Sequence, residues 1–534
     1  MALTKVTYSL VNGAPYNILD YGAIADGVTD TTAAIQSAVD AANAAGGGVV
    51  IVPPAASEYM IDTDAAIQMK ANVELCIEKG ATLKAISRNV SAYQIIEANE
   101  VDNVAITGLG KIVGDKNTYS GTRTGESGFG IYIRGCNGVR IDGVTVTDCW
   151  GDGIFVQHNS DGSVQTQNLS ITNTITDGNC RTGVAVTSCV HGTISGNIFK
   201  NTVGTTGGGA GSGIDLECDN NFNNIYDVTV TGNVAHSCVG FGIALAAIAH
   251  TDATNKPNGV TVTGNTVYDC DKSGIFVNRC YNVTVAGNSV RNAGTGNSLH
   301  GIHVKGGAFG GSDNLDSHNI IVANNIIEDA ETYGIYLDAS TDPSGDLRRV
   351  VVEGNVVSNC GSDGIRITGG SVCVDHIVSS NVVNDNGGTG INVSASSPYT
   401  IICNNTVVNS GGRGIAVGSA SENCTITGNH VRSPQADGIR VSSSSCIVSN
   451  NVILAASQAA DDTSIGIQIS GDYNNIQGNL IRRGAGAAQP KYGIEFLVGA
   501  DNNWYLNNDL FEAGKTGAVN NLGTGNITTA GNRT

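Results

Sequence analysis

The sequence predicts an all-β chain wound into a right-handed parallel β-helix, with one short capping α-helix near its N-terminus. Three observations predict it. A glycine-led phrase recurs at solenoid spacing, further short alternating runs fill each period without an intervening helix, and small side chains fall into columns at fixed offsets from the glycine.

The phrase is Gly, then Ile or Val, any residue, then an aliphatic. It reads Gly130-Ile131-Tyr132-Ile133, Gly153-Ile154-Phe155-Val156, Gly183-Val184-Ala185-Val186, Gly213-Ile214-Asp215-Leu216 and Gly242-Ile243-Ala244-Leu245, and continues at Gly274, Gly301, Gly334, Gly364, Gly390, Gly414, Gly438, Gly466 and Gly493. Successive glycines lie roughly 23 to 33 residues apart, a solenoid period. Runs such as Val228-Thr229-Val230-Thr231 alternate with period two, which means strand. Propeller blades need longer periods, and leucine-rich repeats need their Leu signature. About fourteen stacked coils follow.

The columns explain residues that would otherwise suggest other chemistry. Asn197, Asn233, Asn265, Asn288, Asn355, Asn429 and Asn479 each follow a turn residue, where stacked amides can satisfy corner backbone groups. Cys149, Cys238, Cys270 and Cys360 stand four residues before the repeat glycine, a position that Ala330 and Ser410 also fill. Cys136, Cys189 and Cys280 stand six residues after it. Interchange with Ala and Ser marks a packing column, and no CxxC pair points to metal or redox work.

Composition narrows the function classes. Of 534 residues, 72 are Gly and only 8 Pro, 40% are apolar and 14% charged, so a large core coexists with many tight turns. A net charge of −19 disfavours nucleic acid and anionic membrane surfaces as partners. No apolar run is long enough to span a bilayer. Residues 1–10 lack the apolar core of a secretory signal, so a protein acting outside the cell or on a virion is expected to leave by another route, such as lysis.

The expected domain order is a lead-in (1–15), a cap helix with the first coils (16–127), the main β-helix (128–500) and a C-terminal cap or tail (501–534). Residues 31–45 are Ala-rich, with Asp30 as N-cap and Gly46 to Gly48 as stop, so this helix should plug the open end of the solenoid.

The stretch Tyr16-Asn-Ile-Leu-Asp-Tyr-Gly-Ala-Ile-Ala-Asp-Gly-Val-Thr-Asp, followed by Gly47-Gly-Val-Val-Ile-Val-Pro-Pro, resembles the entry motif of the pectate-lyase-like β-helix superfamily. That group includes polygalacturonases, mannuronan epimerases and bacteriophage tailspikes. The lead-in Ala2-Leu-Thr-Lys-Val-Thr-Tyr-Ser-Leu resembles a segment that precedes this motif in phage tail proteins. The resemblance implies a homotrimer on a virion that binds and cuts a bacterial surface polysaccharide. Its catalytic motifs do not carry over whole. Trp150-Gly151-Asp152 replaces the polygalacturonase Asn-Thr-Asp, and Val156-Gln157-His158 keeps only the His of the epimerase Asp-Pro-His.

In each phrase the aliphatics point inward, so the intervening residues form an outward ladder along which a glycan can lie. Tyr132, Phe155, Phe276 and Tyr336 supply rings for sugar faces; His158, Asn278, Arg279, His300, Lys305, Asp338 and Arg366 are further candidates for substrate contact. The first catalytic constellation is Asp215-Leu216-Glu217-Cys218-Asp219, with Asp152 as a further acid. Same-face residues two apart are about 7 Å apart at Cα, compatible with the carboxylate separations of glycoside hydrolysis. Three acids together also suit a hard cation, so Ca2+ is possible, though no cofactor is required. The second constellation pairs His303 and Lys305 with Tyr336 and Asp338 on the next rung, a set suited to β-elimination or C5-epimerisation of a uronate.

Three readings stay open. They are a hydrolase working through the acids, a polysaccharide lyase or epimerase working through His303, Lys305 and Tyr336, and a non-catalytic adhesin that uses the rings alone. The polymer could be bacterial or algal.

Overall fold

The computed structural model describes residues 13–87, 93–119, 127–204, 211–220, 222–247, 256–294, 300–307, 316–340, 346–370, 372–394, 396–528 and 531–534. The lead-in motif at Ala2 therefore lies outside the described residues. The chain forms two compact units, Met1–Cys270 and Asp271–Thr534. Each is a stretch of right-handed parallel β-helix. A typical coil of the first unit runs through Ile154–Gln157, Gln167–Thr172 and Ile175–Asp177 before the next phrase strand, Val184–Val186. Within each unit the strands pair in parallel from coil to coil, as Ile154–Gln157 does with Val184–Val186. Each unit thus has three sheets; the one carrying the glycine phrases is the phrase sheet.

The phrase has a steric cause. A Cβ on Gly130 would stand 2.4 Å from a Val146 methyl and 2.7 Å from the carbonyl oxygen of Gly153 on the next coil. At Gly153 it would meet the Asn179 amide at 2.6 Å and the Gly183 carbonyl at 2.8 Å. Only glycine lets the coils close at that corner. Beyond it, alternation takes over: Ile214, Leu216 and Cys218 are fully buried core, while Asp215 and Glu217 lie on the opposite face of the same strand.

The asparagine column is a continuous hydrogen-bond ladder. In the second unit Asn381 donates its backbone N–H (3.0 Å) and side-chain amide (2.9 Å) to the Oδ1 of Asn405, which donates both in turn to Asn429. The other amide proton of Asn405 goes to the carbonyl of Val378 at 2.9 Å. Asn197, Asn233 and Asn265 do the same in the first unit. All fourteen cysteines are free thiols, twelve of them buried, in keeping with packing columns.

The helix runs Thr32–Ala44 and buries Ile35, Ala38, Val39 and Ala42. Its N-cap residue is Thr31 rather than Asp30. Asp30 instead accepts from the Thr32 N–H (2.9 Å) and hydroxyl (2.7 Å), one residue ahead of the expected place. Regular stacking already begins at Gly48–Val52, which pairs with Val73–Ile77. It continues past residue 500, where Trp504–Leu506 and Gly517–Asn521 add onto Asn475–Gln477 and Tyr492–Phe496, so the expected tail is further coil. No helix among the described residues is long and apolar enough to cross a membrane.

Candidate functional site

On the phrase sheet of the first unit, successive rungs place Tyr132 opposite Phe155, Phe155 opposite Ala185, and Ala185 opposite Asp215. The alanine leaves a hollow above the rings. A cleft of about 200 Å³ opens there, lined by Ser127, Phe129, Tyr132, Phe155, Arg181, Ala185, Thr187, Glu217 and Asp219. Its floor is an aromatic platform: Tyr132 stacks on Phe155 with centroids 5.5 Å apart, and Phe129 on Phe155 at 4.7 Å. The Tyr132 hydroxyl accepts from the Gln157 amide, and Arg134 lies over the Tyr132 ring at 5.4 Å. Burial raises the Tyr132 phenol, so it remains a neutral donor.

The three acids of Ile214–Cys218 and its end do not share one environment. Asp215 keeps only 4% of its surface and does not line the cleft. Glu217 is half-buried at the cleft wall. Asp219 is exposed just past the strand, its carboxylate accepting from the side-chain amides of Asn220 (3.0 Å) and Asn223. Of the three expected acids, Glu217 and Asp219 line the cleft and Asp215 does not. Among the described residues no three His, Cys, Asp or Glu side chains converge as a metal site would require.

Asp152 is a strut. It is fully buried, with Oδ1 accepting from the Thr182 N–H at 2.9 Å and Oδ2 paired with Arg181 at 3.1 Å. In the second unit Asp363 accepts from the Thr389 N–H and pairs with Arg366, and Asp437 accepts from the Ile465 N–H and pairs with Arg413. An Asp before the repeat glycine is thus corner chemistry, and Asp152 has no carboxylate oxygen turned to a substrate. His158 packs edge-on against Phe222 at 6.1 Å and is almost wholly covered.

The second constellation lies within the second unit, with the register that alternation implies: Phe276, His303, Tyr336 and Arg366 in one row, Asn278, Lys305, Asp338 and Thr368 in the other. His303 stacks on Tyr336 at 5.0 Å and its Nε2 stands 3.6 Å from Asp338 Oδ2, just beyond direct hydrogen-bond reach. His300 stacks on Tyr333 at 5.0 Å, and the Arg366 guanidinium lies over the Tyr333 ring at 4.9 Å. Burial drives His300 down to about 3 and holds His303 below its ordinary value, so both are neutral imidazoles near pH 7. Burial pushes the Tyr336 phenol up to about 12. Burial alone would raise the Asp338 carboxyl, but His303 and the Ser340 hydroxyl and N–H outweigh it and hold it low.

Three residues expected to touch substrate are buried. Arg279 is among the largest fully buried side chains, its Nε donating to the Gly307 carbonyl at 2.7 Å, because it occupies a left-handed corner (φ 56°) that turns it off the ladder. Asn278 is 1% exposed and Phe276 7%. Conversely, Phe129 and Arg181 were not legible as cleft residues. Phe129 precedes its glycine, where strand parity would turn it inward, and Arg181 sits in an aperiodic turn that carries no ladder signal.

Family models agree with this architecture. The model described as "Right handed beta helix region" matches residues 84–256, 130–310 and 247–407. "Rhamnogalacturonase A/epimerase, pectate lyase-like" matches 16–104, and "Periplasmic copper-binding protein (NosD)" matches 397–526. Bacillus subtilis YclG, an uncharacterized protein, is 25% identical over 399 residues, covering 64% of this chain and 62% of its own. Mannuronan C5-epimerase AlgE5 of Azotobacter vinelandii is 26% identical over 285 residues, 51% of this chain and 26% of its own. The chain thus spans less than two thirds of either relative. The N-terminal fragment of bacteriophage Phi29 gene product 12 superposes with a TM-score of 0.53 at 13% identity, covering 96% of this chain and 93% of that one, a likeness of fold.

Proposed function

The chain belongs to the right-handed β-helix family, and from that premise we propose that it is a carbohydrate-active enzyme hydrolysing a polysaccharide seated on the phrase sheet of its first unit. One observation carries this reading: a cleft with an aromatic floor whose wall bears two carboxylates, Glu217 and Asp219, two residues apart. Rings offer flat apolar faces to sugar C–H groups. Paired acids supply a proton to the leaving oxygen and activate water. Half-buried Glu217 is the proton donor. Asp219, open to solvent with amide donors on its carboxylate, activates the nucleophile. Arg181, held by Asp152, orients substrate hydroxyls or an acidic group from the opposite wall. The polymer is an extracellular one, and the protein acts outside the cell that made it.

A second reading has its own support. The neutral His303 beside Asp338, the protonated Tyr336 and the cations Lys305 and Arg366 form a base, an acid and a carboxylate clamp, as elimination from a uronate or inversion at its C5 requires. The similarity to a mannuronan C5-epimerase favours it as well.

The test is incubation of the full chain with bacterial and algal polysaccharides, reading reducing ends, the ultraviolet absorbance of unsaturated uronate, and uronate stereochemistry by NMR. New reducing ends without absorbance support hydrolysis. Both together point to elimination, altered stereochemistry alone to epimerisation, and binding without any change to an adhesin.

A further inference from the structure

On the phrase sheet of the second unit the ladder runs on from Arg366 through Asn392, Ala416, Arg440, Gln468 and Glu495, one residue per coil. One rung of it is almost bare. Ala416 and, two residues on, Gly418 lie between Asn392 and Ser394 on one neighbouring coil and Arg440 and Ser442 on the other. With no side chain there larger than a methyl group, the ladder has a hollow two rungs, or roughly 10 Å, across. The cleft of the first unit opens in the same way, where Ala185 interrupts its ladder. The ion pairs around this second hollow leave one cation over. Asp363 and Arg366 stand three residues apart and pair at 2.9 Å. Asp437 and Arg440 have the same spacing, yet Asp437 pairs with Arg413 of the preceding coil at 3.2 Å, and its other oxygen accepts from the Ile465 N–H. The next acid along the ladder, Glu495, accepts from the amides of Gln468 (3.0 Å) and Asn520 (2.9 Å). Arg440 is half-buried, and among the described residues it makes no hydrogen bond or ion pair. The hydroxyl of Ser442, two residues on at the same rim, has no partner among them either.

We infer that the hollow at Ala416 and Gly418 is an accessory glycan-binding site, in which Arg440 takes a carboxylate or sulfate substituent of an acidic polysaccharide. Three arguments select that ligand. A guanidinium presents a planar fork of donors that matches two oxygens of one oxyanion, and the Ser442 hydroxyl offers a further donor beside it. A chain of net charge −19 repels an acidic polymer at long range, so a site for one needs a cation that no acid of the chain already neutralises. Arg366 and Arg413 are neutralised in this way and Arg440 is not. The bare rung also gives a bulky substituent room beside the guanidinium, which a ladder of full side chains would fill. This site involves no bond cleavage, so it stands or falls independently of the acids Glu217 and Asp219.

The experiment is affinity electrophoresis of the full chain through native gels containing a polyuronate, a sulfated glucan or an unsubstituted glucan of matched length. It reads binding without turnover, so its result is separate from that of the hydrolysis assay. The wild type should be retarded by an acidic polymer far more than by the unsubstituted glucan, and the stronger of the two acidic probes identifies the substituent. Arg440→Ala should weaken that binding about 10-fold, as loss of hydrogen bonds to a charged group does. Ala416→Leu keeps every charge but fills the hollow, and should weaken it as well. Arg432→Ala removes an equal charge from an exposed position on another sheet of the same unit and should leave binding nearly unchanged. Far-ultraviolet melts should match the wild type for all three variants, since each altered side chain leaves its strand away from the core. No preference for an acidic polymer, an Arg440→Ala variant that binds like the wild type, or an equal loss in Arg432→Ala overturns the inference.

Discussion

The Nε2 of His303 stands 3.6 Å from the Oδ2 of Asp338, one rung along the phrase sheet of the second unit. Burial holds this imidazole below its ordinary value, and Asp338 pulls it partway back. His300 and the fully buried His376 are driven to about 3, likewise by burial. An imidazole depressed in the fold is protonated first in the unfolded chain, so below about pH 6.5 the unfolded state binds more protons. Stability therefore falls as pH drops through that value and continues to fall toward 3. The depressed Asp338 carboxyl adds a loss below about pH 4. Thermal melts should show Tm declining from pH 7 to pH 5; a flat or rising Tm would contradict these assignments.

Asp338→Asn removes the carboxylate that raises the His303 imidazole. Its titration midpoint, followed by imidazole NMR, should shift further down, while the His376 midpoint stays in place.

Glu217→Gln should lower kcat by about 10²–10⁴-fold, the range for loss of a general acid. Its melting temperature should stay within a few degrees of wild type, since the side chain lies on the outer face of its strand. Asp152→Asn is expected to do the opposite: it weakens the strut to Arg181, lowering Tm and raising KM through a misplaced Arg181 while kcat changes less. A Glu217→Gln enzyme of full rate would remove Glu217 from the reaction.

Tyr132→Ala takes one ring from the platform but leaves Phe129 stacked on Phe155. KM should rise about 5–30-fold, the equivalent of roughly 1–2 kcal/mol of lost contact, with kcat little altered. Tyr132→Phe should recover most of it. Initial-rate measurements on a cleaved polymer distinguish the two.

Asn405→Ala interrupts the corner ladder and leaves Asn381 donors and the Val378 carbonyl without partners in a buried turn. A loss of about 2–4 kcal/mol is expected, read as an earlier urea midpoint. Thr425→Ala, at an outward position one coil along, should cost well under 1 kcal/mol.

Much of this molecule was legible in one dimension because a solenoid repeats its contacts locally. Each residue meets the residue one period away, so spacing alone predicts the neighbour. The register of His303 with Tyr336 and Lys305 with Asp338, the asparagine ladder and the buried cysteine columns all follow from that rule. The steric demand for glycine at the coil corner is what writes the period into the sequence. Alternation likewise separated Glu217 and Tyr132 from the core residues beside them.

Depth was decided only by the tertiary structure. Strand parity says which face a side chain leaves from, not what covers it afterwards. Asp215 and Asn278 leave from the outer face and are nevertheless almost wholly buried, Arg279 is turned off the ladder by a left-handed corner, and Asp152 is committed to Arg181. Aperiodic residues from the turns, Phe129 and Arg181, complete the cleft. Periodicity encodes neighbours along the helix axis; burial, ion pairing and the choice of usable acids depend on contacts made outside the repeat, such as that of Asp152 with Arg181, which no spacing in the sequence records.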